Sequence, residues 1–156
     1  MGDHTETVEV VFDPELTSFR ALLGMFWKNH DPMSSHSRQY MSAIFYHDEE
    51  QRKLAELTMK EQQSSRARPI ATLITKAKTF YNAEDYHQKY MLRHYPDLVQ
   101  SLHLNNDEII TSAVAARLNG YLGGNGNLEQ FDEECSTFGL SRSQMEVVRK
   151  KVNSRM

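Results

Sequence analysis

The side chains best suited to chemistry lie together in the stretch Glu84-Asp85-Tyr86-His87. On a helix, Glu84 and His87 are three positions apart and point to the same side. Helical bundles that bind two iron ions use this Glu-x-x-His spacing, but they need a second such motif and further carboxylates on facing helices. The sequence has neither. The stretch therefore predicts the exposed beginning of a helix, with acidic residues at the positive end of the helix dipole, rather than a metal site.

The chain has one cysteine, Cys135, which follows the acidic residues Asp132, Glu133 and Glu134. A single cysteine excludes a disulfide within the chain and a zinc site built from several cysteines. Neighbouring carboxylates raise the pKa of a thiol and disfavour the thiolate that a nucleophile needs. Cys135 is therefore predicted to be an inert residue on a short helix, and a role as substitute nucleophile is the weaker alternative.

Two further groups of residues have both a functional and a structural interpretation. The string His30-Asp31-Pro32 can be an acid–base pair, but a histidine at a helix C-terminus followed by a turn and a helix-ending proline explains it better. Tyrosines can donate hydrogen bonds into an apolar pocket or lie at the edge of the core, and composition favours the core edge. The tyrosines in question are Tyr40, Tyr46, Tyr81, Tyr86 and Tyr90.

The composition excludes several classes of protein. A length of 156 residues with 39% hydrophobic residues allows one packed domain, and a net charge of −3 gives no strong field for nucleic acid or an anionic membrane. The polar first residues do not resemble a signal peptide, and no apolar run is long enough to span a bilayer. With a single cysteine, the chain is predicted to be cytoplasmic. The glycines at 123–126 lack the spacing of a nucleotide-binding phosphate loop.

The elements that must position these residues fall into two regions of different pattern. Up to about Arg93, strands alternate with amphipathic helices, which indicates an α/β or α+β layer. The predicted strands are Val8–Phe12, Met41–Tyr46 and Ile70–Thr75. The predicted helices are one capped by Thr17 or Ser18, one capped by Asp48, and one capped by Asn82 that runs from Ala83 to about Arg93.

From Pro96 onward only helical patterns are found. Asn105 and Ser141 each begin a capping-box pattern, the first predicting a helix to about Leu118. The glycine-rich stretch Gly120–Gly126 is predicted to be a turn or loop, because glycine weakens a helix. The predicted domains are residues 1–95 and a helical C-terminal extension, residues 96–156, packed on it.

Four segments in this order resemble the peptide methionine sulfoxide reductase A family. They are Gly2–Pro14 with its Gly-Asp-His-Thr-Glu string, Leu22–Pro32 with Phe-Trp-x-x-His-Asp-Pro, Arg38–Ile44, and Thr79–Tyr90 with Ala-Glu-Asp-x-His-Gln. The resemblance implies an α+β fold, a two-layer sandwich with a small mixed sheet flanked by helices. The tail resembles the helical extension of some animal-type members.

The family reduces the S-epimer of methionine sulfoxide and so repairs oxidative damage. The resemblance implies that Glu6 is the acid that protonates the departing oxygen, with a pKa raised by burial. It also implies that Tyr40 hydrogen-bonds the sulfoxide oxygen, that His87 and Tyr90 line the same pocket, and that Asp85 supports them. A cysteine thiolate attacks sulfur, and thioredoxin or another dithiol is the final reductant. No bound metal or other cofactor is implied.

The family's nucleophile lies in a Gly-Cys-Phe-Trp-Gly motif that is not found in this sequence. The resemblance therefore predicts an N-terminally truncated isoform or fragment with negligible turnover. Gly120-Tyr121-Leu122-Gly123 corresponds to the family's resolving motif with Leu122 in place of the thiol, a loss that an external thiol can make good. The alternative hypothesis is a non-catalytic protein that binds methionine sulfoxide or a partner.

Overall fold

The protein is described by a computed structural model over residues 4–154. This part of the chain forms two compact units that divide between Tyr81 and Asn82. The first unit contains two strands and two long helices, and the second contains helices. The α+β class with a helical C-terminal part is thereby confirmed, while the domain limit near residue 95 stays a prediction.

The first unit is built on a parallel pair of strands with two helices packed against each other. Ala43 of the first strand is in register with Leu73 of the second, and the pairing runs to Tyr46 and Lys76. The described strands pair in parallel only, so the mixed sheet is not found between residues 4 and 154. The elements are α1 (Phe19–Lys28), a 3-10 helix (Arg38–Tyr40), β1 (Ala43–Tyr46), α2 (Glu49–Gln63) and β2 (Leu73–Lys76).

Both long helices begin at the residues that the sequence predicts. The Ser18 hydroxyl accepts a hydrogen bond from the backbone N–H of Ala21, and the Asp48 carboxylate accepts one from Gln51. Such caps satisfy backbone donors that have no partner within the helix.

A buried hydrogen bond joins α1 to α2. The Trp27 indole N–H donates to the Thr58 hydroxyl at 3.0 Å, and that hydroxyl donates to the carbonyl of Ala55 at 3.1 Å. Around this pair pack Leu23 and Ile44, which are buried like Trp27 and Ala55. Because no water is available to an indole N–H buried this deeply, the pairing of Trp27 with Thr58 fixes how the two helices lie on each other.

The strand predicted at Val8–Phe12 is wrong. Residues 5–13 are without regular structure, and Val8 and Val11 are 83% and 96% exposed. The alternation of apolar and polar residues indicates a strand only if a neighbouring strand is available for backbone hydrogen bonds. Between residues 4 and 154 no strand pairs with this segment. Hydrogen bonds of Thr5 and Glu6 with the 3-10 helix hold it instead, among them the bond from the N–H of Glu6 to the carbonyl of Gln39.

The second unit is an assembly of short helices around one apolar cluster. Its largest fully buried side chains are Leu92, Ile109, Leu118, Leu122, Phe131 and Val148. Between residues 4 and 154, no helix is both long and apolar enough to cross a membrane. The helices are α3 (Tyr90–Arg93), α4 (Pro96–Ser101), α5 (Asn106–Thr111), α6 (Ala113–Leu122), α7 (Leu128–Glu134), a 3-10 helix (Cys135–Phe138) and α8 (Arg142–Asn153).

Side-chain caps define these short helices. The predicted capping boxes at Asn105 and Ser141 are both present, and Asn127 forms a third at the start of α7. The helix predicted from Asn105 to Leu118 is interrupted at Ser112, whose extended backbone ends α5 and whose hydroxyl caps α6. A serine offers its own hydroxyl to the backbone and so favours such a break.

Two predicted elements of this unit are wrong. The helix expected over residues 83–93 is confined to Tyr90–Arg93, and residues 85–89 form turns instead. The loop expected at Gly120–Gly126 contributes its first three residues to α6. Tyr121 and Leu122 are buried there, and burying two large side chains outweighs the cost of one helical glycine, about 1 kcal/mol.

A charged cluster joins α6 to α7 in the second unit. The Arg117 guanidinium donates to the Glu134 carboxylate, which also accepts a hydrogen bond from the Tyr121 hydroxyl. The bond from Arg117 holds the pKa of Glu134 below its usual range. Burial, followed by the bond to Glu134, raises the pKa of Tyr121 to about 12.

The link between Trp27 and Thr58 gives a test of the first unit. We expect Thr58→Val to lower its free energy of unfolding by about 1–3 kcal/mol, because the indole N–H loses its acceptor while the side-chain volume is kept. Trp27 is the one tryptophan in the sequence, so its fluorescence in urea follows this unit. Thr58→Ser, which keeps the acceptor, is the control. A Thr58→Val protein as stable as the wild type contradicts the assignment.

The charged cluster gives a pH test of the second unit. Because the folded-state pKa of Glu134 is lowered, its contribution to stability is complete above the unfolded pKa, near 4.5, and is lost as pH falls through the folded value. We expect Glu134→Gln to be less stable than the wild type at neutral pH and the difference to shrink on acidification. Urea unfolding followed by circular dichroism measures this. Glu133→Gln, at an exposed position, is the control, and a difference that does not depend on pH contradicts the assignment.

Candidate functional site

A cavity of about 450 Å³ in the first unit brings together two of the predicted site residues, Glu6 and Tyr40. Apolar side chains from α1 and from β1 form part of its wall, including Phe26 and Phe45. The cavity therefore combines a carboxylate and a phenol with an apolar surface, a composition typical of sites for small, partly apolar ligands.

Glu6 is tied to the 3-10 helix that carries Tyr40. Its backbone N–H donates to the carbonyl of Gln39 at 2.9 Å, and the Gln39 amide donates back to the Glu6 carboxylate at 2.8 Å. The neighbouring Thr5 hydroxyl donates to the carbonyl of Arg38 at 3.1 Å. These bonds fix the carboxylate beside the residue that precedes Tyr40.

The expected burial of Glu6 is wrong for the part of the chain that the structure describes. Glu6 is exposed, because residues 5–13 pack on no other strand. Tyr40 is 60% exposed, and its hydroxyl makes no hydrogen bond with the residues from 4 to 154. Both groups thus have hydrogen-bonding capacity left for a ligand in the cavity.

His30 also lines this cavity, although sequence reasoning assigned it to a helix end. Its Nδ1 lies 2.7 Å from the carbonyl oxygen of Phe26, and its Nε2 lies 2.7 Å from the hydroxyl of Ser42. Ser42 in turn lies 2.8 Å from the hydroxyl of the buried Thr72. The Phe-Trp-x-x-His-Asp-Pro string was the sequence signal that could have pointed to His30. Nothing in the string shows that Ser42 is its hydrogen-bond partner.

The partners of His30 determine which of its nitrogens carries the proton in the neutral ring. A carbonyl oxygen only accepts, so Nδ1 donates to Phe26, and Nε2 then accepts from the Ser42 hydroxyl. Ser42 has used its proton and accepts from Thr72. The row from Thr72 through Ser42 to His30 therefore runs in one direction, from the residue before β2 through the residue before β1 to a residue just beyond α1.

The other predicted site residues, Asp85, His87 and Tyr90, lie in the second unit. All three are exposed on the turns before α3 or at its first residue. Asp85 accepts a hydrogen bond from Asn106, and the Tyr90 ring packs edge-on against His94 at 4.6 Å between centroids. Their assignment to the pocket stays a prediction.

Cys135 is buried in the apolar cluster of the second unit, at 8% exposure. Its thiol donates to the carbonyl of Asp132 at 3.6 Å, which is a local helical contact. Leu122, which the resemblance puts at the place of the family's resolving thiol, is fully buried in the same cluster. Among residues 4–154, no three His, Cys, Asp or Glu side chains are grouped so as to hold a metal ion.

Comparison with known proteins gives two family matches. Residues 1–118 match the family described as peptide methionine sulfoxide reductase. Residues 103–153 match the helical domain of selenoprotein methionine sulfoxide reductase A. The second match covers α5 to α8 and includes Leu122 and Cys135.

Individual relatives agree with these matches. The chain is 48% identical over 147 residues to a peptide methionine sulfoxide reductase of Drosophila melanogaster, covering 92% of this chain and 60% of that protein. It is 37% identical over 129 residues to peptide methionine sulfoxide reductase A5 of Arabidopsis thaliana, covering 78% and 51%. With the protein MsrA of Methanosarcina mazei it shares 44% over 95 residues, or 56% and 45%. The chain thus spans between about half and 60% of these relatives, and it belongs to the peptide methionine sulfoxide reductase family.

Proposed function

We propose that this chain provides the sulfoxide-recognising part of a peptide methionine (S)-sulfoxide reductase. The observation that carries the proposal is the cavity that holds Glu6 and Tyr40 against an apolar wall. Methionine sulfoxide has one strongly accepting oxygen and a small apolar methyl group. The Tyr40 phenol is a matching donor for the oxygen, and Phe26 and Phe45 supply apolar surface for the methyl.

The reaction requires two thiols, a proton donor and a group that orients the sulfoxide oxygen. One thiolate attacks the sulfoxide sulfur, methionine is released, and the oxygen passes with a proton to the attacking sulfur as a sulfenic acid. A second thiol then reacts with the sulfenic acid, which gives a disulfide and water. Glu6 is the residue proposed to give a proton to the departing oxygen, and Tyr40 the residue that orients it. Thioredoxin or another dithiol is the proposed source of electrons.

Cys135 is not proposed as the attacking thiol. It lies in the apolar cluster of the second unit, and attack on a substrate sulfur requires an accessible thiolate. Since Cys135 is the one cysteine in this sequence, we propose that the 156-residue chain by itself has negligible turnover. Asp85, His87 and Tyr90 are proposed to complete the recognition of the sulfoxide, as the resemblance implies.

A non-catalytic binding protein is the alternative that the same cavity supports. Recognition of the sulfoxide oxygen needs Glu6 and Tyr40 but no thiol. The two proposals therefore share a binding step, and only the reductase adds a chemical step to it. Binding and turnover consequently have to be measured separately.

Binding is tested by calorimetry with a peptide that contains methionine (S)-sulfoxide. We expect Tyr40→Phe to weaken binding about fivefold to tenfold, because one hydrogen bond to the oxygen is lost. Tyr81→Phe is the matched control, since Tyr81 is similarly exposed but does not line the cavity. The two variants should have the same affinity for the reduced peptide, which contains methionine in place of the sulfoxide. Equal sulfoxide affinities for both, or no binding by the wild type, contradict the recognition role.

Turnover is tested with the same peptide and dithiothreitol. We expect the wild-type chain and Cys135→Ser to convert the sulfoxide no faster than dithiothreitol alone, because the buried thiol cannot reach a substrate. Turnover above that background refutes the negligible activity of this chain. If that turnover is lost in Cys135→Ser, the rejection of Cys135 as nucleophile is refuted as well.

A further inference from the structure

The turn at residues 85–89 is held at both of its ends by one helix, α5. This turn carries Asp85 and His87, and Tyr90 follows it directly. We infer that α5 positions the sulfoxide-recognising turn, through the side chain of Asn106 and the backbone carbonyl of Ile110. The inference rests on the proposed function, because it concerns residues proposed to recognise the substrate.

Asn106 is the first residue of α5, and both ends of its side-chain amide are used. The amide nitrogen donates to the Asp85 carboxylate at 2.5 Å, and the amide oxygen accepts from the Arg93 guanidinium at 3.2 Å. A carboxylate only accepts and a guanidinium only donates, so the amide has one orientation that satisfies both. Asn106 thereby fixes where the Asp85 carboxylate lies relative to α3.

Lys89 makes the second attachment, at the other end of both the turn and the helix. Its ammonium group donates to the carbonyl of Ile110 at 2.9 Å. The last carbonyls of a helix have no partner within it, so a donor placed there is favourable. Burial lowers the pKa of this ammonium group, so the contact is made at a desolvation cost.

The backbone at Lys89 shows that the turn is constrained. Its φ is +51°, a left-handed conformation that is unfavourable for a residue with a side chain and persists where the surroundings enforce it. Arg93 adds to the constraint, because its Nε donates to the carbonyl of Gln88 at 2.8 Å. His87 lies between attached residues on both sides, so its position follows from these bonds.

Asn106 is therefore a positioning residue, which acts on the substrate through Asp85. It lies in the part of the chain that matches the helical domain of the family. The inference gives this domain a role in recognition: it sets the geometry of a turn that precedes it in the sequence.

The test exchanges donor and acceptor across the contact between Asp85 and Asn106. In Asn106→Asp, two carboxylates face each other while Arg93 keeps its acceptor. We expect the turn amides of His87 and Gln88, which bond to Glu84 and Asp85, to exchange with solvent about tenfold faster. We also expect affinity for a methionine (S)-sulfoxide peptide to fall about fivefold. The double variant Asp85→Asn with Asn106→Asp restores one donor and one acceptor, so the turn amides should regain their protection.

The control is Asp107→Asn, at the next and exposed position of α5, which should change neither quantity. If the turn amides exchange no faster in Asn106→Asp, or if the double variant does not regain their protection, the inference that α5 positions the turn is overturned. Faster exchange with unchanged sulfoxide affinity overturns the role of the turn in recognition and leaves the proposed function standing. A wild type that does not bind the sulfoxide refutes the proposed function. The amide exchange rates still test, independently of binding, whether α5 positions the turn. Should Asn106→Asp not fold, Lys89→Met, which removes the contact with Ile110, is judged by the same two measurements.

Discussion

The arrangement of the first unit depends on one buried hydrogen bond, from the Trp27 indole to the Thr58 hydroxyl. It fixes α1 on α2, and α1 carries Phe26 into the cavity wall, with His30 just beyond its C-terminal end. His30 then bonds to Ser42, two residues after Tyr40. The position of the cavity wall thus depends on a contact between two side chains that do not themselves line the cavity.

The second unit achieves order by another route. Its helices are mostly too short to be stable alone, and side-chain caps and burial in one cluster compensate for this. Polar side chains also connect elements, as Arg117 does with Glu134 and Asn106 with Asp85. The same type of bond therefore serves structure at the contact between α6 and α7 and, in our proposal, recognition at the turn before α3.

The features that could be predicted from sequence are those decided within a few residues. Ser18 and Asp48 cap their helices because a hydroxyl or carboxylate reaches a backbone N–H three positions away. The strand at Val8–Phe12 failed because pairing depends on a distant neighbour, which the alternating pattern does not reveal. Leu122 joined a helix because the cluster around it, assembled from residues far apart in the chain, decided the outcome.

The same distinction applies to the site. The resemblance implies one pocket for Glu6 and Tyr40; both residues line the cavity of the first unit, and their roles toward the sulfoxide stay predictions. The burial expected of Glu6 depends on which other segments pack against residues 5–13, and a local sequence pattern does not show this. The partners of His30 and Asp85 likewise lie 12 and 21 positions away, beyond the reach of a local pattern.

The one-way row from Thr72 through Ser42 to His30 couples the hydrogen bonds of three side chains, so that none of them can change its role alone. An imidazolium has protons on both nitrogens, so Nε2 would have to donate where it now accepts. Ser42 would then turn its hydroxyl towards Thr72, and Thr72 would have to find another acceptor inside the fold. A second proton on this one ring would therefore require two hydroxyl groups next to the sheet to rotate as well.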